Sequence, residues 1–220
     1  MDKIEELTKE KTFGFSAIQK DSQERITSII GKIIQLSMIN TENKKHLLIK
    51  YDEIWSELEK ARIFDVEGDR IKAIEYFSNA ASQFKKLYSE VKLRRKQDEV
   101  HTLQILCKAW ESMIYAEQYR EPKKFLEAMN YFIQVNEIIN DDKLELLALG
   151  NSEFCKVLKF GMEFEQSNQT YINDDDYLEI NAIFNKIIDF YKQGGFEKEL
   201  NWALTTSSYF DAFVKSLKKT

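Results

Sequence analysis

The side chains that most often do chemistry are sparse in this 220-residue chain. Its two histidines, His46 and His101, fall on separate expected helices, and neither belongs to a metal-ligand spacing. Asp98 stands three residues before His101 and would share a helix face with it, an arrangement that serves ordinary packing as readily as proton transfer. Cys107 and Cys155 are far apart in apolar surroundings, the pattern of two reduced core thiols. Seven glycines leave no phosphate loop, nucleophile elbow or Cys-x-x-Cys. The expectation is therefore no catalytic residue, no bound cofactor and no metal.

Two charge clusters invite more specific readings. Asn173, Asp174, Asp175 and Asp176 gather carboxylates ahead of an expected helix, yet the alternating ligands, central glycine and closing glutamate of a calcium loop are missing, which favours a helix cap. Lys92, Arg94, Arg95 and Lys96 form a basic cluster at a helix junction, suited to an acidic partner or to plain solvation. Over the whole chain, 32 basic and 37 acidic residues are intermixed for a net charge of −5, so nucleic acid is not an expected partner. The first eleven residues are heavily charged rather than apolar. Apolar runs fall far short of the roughly 20 residues needed to span a bilayer, which predicts a cytoplasmic protein with no transmembrane segment.

The elements that must position any site are helices. One proline and few glycines, against abundant Leu, Ile, Lys and Glu, argue for an all-α chain. Residues 1–20 read as a polar arm or short helix, and 21–220 as one helical-repeat domain. Asp21 and Glu24 have capping-box spacing ahead of Ile26, Ile29, Ile30, Ile33 and Ile34. A second helix, capped by Thr41, carries Tyr51, Ile54, Leu58, Ala61 and Phe64 on one face and closes at Gly68. Asp69 caps the third, a fourth spans about 94–119, and Pro122 begins the fifth. Asp141 or Asp142 starts a long sixth helix in which Gly150 and Gly161 are points of break or kink. After a polar loop over 167–176, Asp176 and Glu179 suggest a cap for the seventh; Gly194-Gly195 turns into the last, about 196–217.

Within this pattern a hairpin recurs after fifty-five residues. Residues 55–84 set against 110–139 without a gap pair Trp55 with Trp110, Ala61 with Ala116, Ala73 with Ala128, Tyr76 with Tyr131 and Phe77 with Phe132. Leu58/Met113, Phe64/Tyr119 and Ile71/Leu126 keep apolar character. Small residues at the closest approach of two helices, with an aromatic wedge beside them, are what packing at about 8 to 10 Å requires.

Gly68, Asp69, Ala73, Phe77 and Ala80, together with Ala61, resemble the tetratricopeptide motif. Its period is about thirty-four residues, so this longer hairpin is more similar to the tetratricopeptide-like proteins of the soluble NSF attachment type, which are adaptors. Lys60 departs from the leucine usual in the family, and the closing proline is missing from both copies. The resemblance implies about eight helices in a right-handed stack of antiparallel hairpins, a TPR-like α-α superhelix, with the final pair capping one end. It also implies that Trp55, Leu58, Arg62 and Asp65, then Trp110, Met113, Glu117 and Arg120, line a concave partner-binding surface, although packing between helices is the competing role for both tryptophans.

The function this favours is a non-catalytic protein-protein interaction scaffold or adaptor, binding a helix or extended peptide in a groove between hairpins. Two other readings are a small-ligand binder or enzyme using an inter-helix cavity, and a homo-oligomer paired through an exposed end of the stack.

Overall fold

In a computed structural model, the chain is described over residues 44–92, 94–139, 141–167 and 170–217. Among these residues there are seven helices and no strand: α1 (Lys44–Glu67), α2 (Arg70–Glu90), α3 (Arg94–Tyr119), α4 (Lys123–Ile138), α5 (Asp142–Gln166), α6 (Asp174–Gly194) and α7 (Glu197–Leu217). The arm expected over 1–20, the helix expected from Asp21 and the cap expected at Thr41 lie outside the described residues.

Local chemistry explains the boundaries. At the end of α1, Gly68 adopts φ +83°, the left-handed conformation that a side chain disfavours. Its N–H donates to the Asp65 carbonyl at 3.2 Å while the Asp69 N–H reaches the Phe64 carbonyl at 2.9 Å, so two orphan carbonyls of the last turn are satisfied together. Asp69 at once caps α2, its carboxylate accepting the Lys72 N–H at 3.2 Å. The same reversal recurs at Gly195, φ +70°, where the Phe196 N–H donates to the Tyr191 carbonyl at 2.9 Å and the two rings meet edge to face. The α3 end uses it too, but with Arg120 at φ +57° in the left-handed position.

Asp141 starts α5, accepting the Lys143 and Leu144 N–H groups at 3.0 Å. Neither internal glycine breaks that helix, which runs unbroken from Asp142 to Gln166. Gly150 has instead a packing reason. A Cβ there would sit 2.4 Å from Cε1 of Tyr191, so the missing side chain is what lets α6 approach α5. The cap of α6 is Asn173 rather than Asp176: the Asn173 side-chain oxygen accepts the Asp176 N–H at 2.8 Å, and its amide donates to the Asp176 carboxylate at 2.7 Å. Asp176 stands inside the first turn because an earlier residue with free φ/ψ already fills the cap position.

Each helix packs on the next in sequence, so the described part of the chain is an ordered stack. Ala61, Ala73, Phe77, Ala80, Ala116, Ala128 and Phe132 are all buried, the small residues where helices approach and the rings beside them. Toward the C-terminus α7 also lies across α5. Trp202 meets Phe154 edge-on with centroids 4.2 Å apart, and Phe210 and Phe213 reach Phe160 and Phe164 at 6.4 and 6.0 Å, closing that end with aromatic pairs. Among the described residues no helix is long and apolar enough to cross a membrane.

Candidate functional site

The eight residues expected to line a concave surface are distributed between core and rim. Leu58, Trp110 and Met113 are buried at 0%, 0% and 3% exposure. These three are core rather than surface, because neighbouring helices in the stack cover the face on which they lie; Trp110 packs on Phe77 of α2 with ring centroids 5.6 Å apart. Trp55 is half-buried and stacks on Tyr51 of its own helix at 5.9 Å. Asp65 is buried at the end of α1. Arg62 pairs with Glu59 at 2.7 Å, and partial burial moves both away from their charged forms, the guanidinium down and the carboxyl up. Glu117 joins Arg70 of α2 at 3.0 Å, and exposed Arg120 joins Glu165 of α5 at 2.6 Å. Four of the eight are thus ion-paired within the molecule or buried at a helix end, and three are core. They do not converge on one open surface.

The groups weighed for catalysis are placed just as plainly. His101 is half-buried with its ring 5.3 Å from that of Tyr88, and His46 is exposed at the start of α1. Cys107 and Cys155 are free, buried thiols whose surroundings push them far above the ordinary thiol range, which makes them inert. Lys92 and Arg94 are exposed at the junction of α2 and α3, with Lys96 half-buried. Among the described residues no group of three or more His, Cys, Asp or Glu could hold a metal ion.

A concavity does exist elsewhere, where α4, α5 and α6 come together. It encloses about 350 Å³ and is partly open to solvent. Each helix contributes one stripe at helical spacing. From α4 come Leu126 and Met129, and from α5 come Lys156, Lys159, Phe160 and Glu163. The opposite wall is Asp176, Glu179, Ile180 and Ile183 of α6. Residues three, four and seven apart share a helix face, which is why three regular helices converge on one trough. Leu126 retains 37% of its surface in water, a large apolar side chain at the lip of the trough.

Its electrostatics are asymmetric. The α5 lysines are matched along their own helix, Lys156 by Glu153 and Lys159 by Glu163, each at 2.7 Å. On α6, Asp176 accepts a hydrogen bond from the neutral amide of Asn173, and Glu179 is exposed. The floor is apolar, with Phe160 held from behind by Phe164 and Phe210. What this lining can do is bury an apolar side chain between charged walls.

The sequence pattern places Leu126 in the repeat opposite Ile71 and does not show that it meets Phe160, Ile180 and Ile183. The available signal was the α6 stripe, where carboxylates at 176 and 179 alternate with isoleucines at 180 and 183 on one face. A stripe meant only for the core would not carry two carboxylates. Comparisons with protein-family models, with curated proteins and with solved structures return no match to this chain.

Proposed function

We propose that this protein is a non-catalytic interaction scaffold of tetratricopeptide-like architecture, and that it receives a helical or extended segment of a protein partner in the groove formed by α4, α5 and α6. The observation carrying this reading is the partly open apolar trough of about 350 Å³ with Leu126 exposed at its lip. A cavity at the small end of the range for ligand sites, open along one side, suits an anchoring side chain from a longer chain better than an enclosed small molecule. Affinity then comes from desolvating Leu126, Met129 and Phe160, while the charged walls fix orientation. The helix-pair resemblance supports the same class of function by analogy.

The test is selection on the full chain from a displayed library of random peptides a few helical turns long. Peptides enriched on the native protein are expected to be lost on Leu126→Glu, a substitution at an exposed position that leaves the core untouched. Enrichment that survives Leu126→Glu and Met129→Glu alike places binding elsewhere and ends the proposal.

A further inference from the structure

Resting on that groove reading, we infer that the occupant is a basic apolar segment: one large aliphatic or aromatic side chain seated on Met129 and Phe160, with lysine or arginine about one turn away over α6. Charge complementarity selects this occupant. Both cations of the trough are already engaged, Lys156 by Glu153 and Lys159 by Glu163, so the α5 wall is locally neutral. The α6 wall is not. Among the described residues the one side-chain donor to Asp176 is the Asn173 amide, at 2.7 Å, and Glu179 and Asp175 are exposed. Among the described residues no cation pairs with Asp176 or Glu179.

The positive end of α6 offsets roughly half a charge, which leaves the wall net negative. Asp176 and Glu179 are three residues apart, so their carboxylates rise about one turn from each other along the apolar floor made by Ile180 and Ile183. An acidic segment laid in this trough would set carboxylate against carboxylate. A purely apolar one would leave both ions facing it without a counter-ion, and only a basic one matches each feature. The chain's net charge of −5 acts in the same direction on the rate of encounter.

The library selection separates the two levels of the inference. On the native chain the enriched peptides are expected to carry lysine or arginine beside a large apolar residue. The best of them should bind about fivefold more weakly to D176N/E179Q and should weaken as salt is raised. If enrichment depends on Leu126 but shows no basic excess, or if D176N/E179Q binds as well as the native chain, the basic occupant is wrong while the groove stands. If no enriched peptide depends on Leu126, both fall. The free protein supplies the remaining arms. Light scattering showing a mass that doubles with concentration, and reverts in Leu126→Glu, would make a second copy of the chain the occupant. Peptide binding to that groove only after removal of residues 1–43 would make those residues the occupant, and either result overturns the inference.

Discussion

The two hairpins that the sequence aligns, α1 with α2 and α3 with α4, keep the same internal packing and differ in what covers them. Twelve positions separate Ala61 from Ala73 and Ala116 from Ala128, and all four are buried, although the turn between them falls at Gly68 in one copy and at Arg120 in the other. The contact register is preserved while the turn slides along it. Outside that shared seam the copies diverge. Trp110 is fully buried against Phe77, whereas Trp55 is half-buried against Tyr51; Ile71 is 60% exposed, whereas its counterpart Leu126 is 37% exposed at the edge of the groove. A residue's partner within its hairpin follows from the repeat. Its exposure follows from which helices come next in the stack.

Truncating the two tryptophans tests that difference most strongly. Trp110→Ala should lower stability by about 3 to 5 kcal/mol, since it leaves a large cavity in a site with no exposed edge. Trp55→Ala should cost about half as much, because part of its ring is in water already. Urea unfolding of the two variants measures both. Equal losses would mean that the repeat, not the position in the stack, sets burial.

A second comparison lies within α5. Gly150→Ala places a methyl group where Cε1 of Tyr191 would be only 2.4 Å away, so the α5–α6 contact must shift and stability should fall by about 1 to 3 kcal/mol. The shift should also disturb the hydrogen bond from the Tyr191 hydroxyl to Asn151, 3.3 Å long and buried. Gly161→Ala meets nothing within 4 Å and should stabilise by about 0.5 to 1 kcal/mol, the ordinary gain of alanine over glycine in a helix. Thermal melts giving the same sign for both would refute the packing role of Gly150.

How much of this was legible in the sequence follows from the range of each signal. Helix ends are written locally: Gly68, Asp69, Asp141 and Gly195 act on backbone groups a few residues away, and the expected boundaries at each match the observed ones. The α6 cap was misplaced for an equally local reason, since Asn173 and Asp176 are both capable and only geometry shows which holds the position. The internal alanines and Phe77 and Phe132 were legible because their periodicity reports contact with a neighbour in the same hairpin. The groove was not, because it exists only where three stripes from helices fifty residues apart converge. The α6 stripe marks one wall by its carboxylates, but no periodicity within one helix says which other stripes it meets. Of the partner surface expected along Trp55 and Trp110, Leu58, Trp110 and Met113 are covered for the same reason, since a within-hairpin register does not say which neighbouring helices pack over it.

The smallest effect expected is also the sharpest test of the sliding turn. Gly68 and Arg120 hold equivalent left-handed positions at the ends of α1 and α3, but only one of them is the residue that conformation favours. Gly68→Ala should cost about 1 kcal/mol, because a Cβ is strained at that φ whatever the surrounding space. Arg120→Gly should relieve a similar strain, yet it removes the ion pair with Glu165, whose partners are exposed enough that it contributes at most about 1 kcal/mol. The net should be a stabilisation of about 0.5 kcal/mol. Repeating Arg120→Gly in a Glu165→Gln background takes the pair out of the comparison, and there the gain should rise toward about 1 kcal/mol. If Arg120→Gly destabilises in that background as well, Arg120 is held by more than its backbone, and the turn of the second hairpin is fixed by its contact with α5 rather than free to slide.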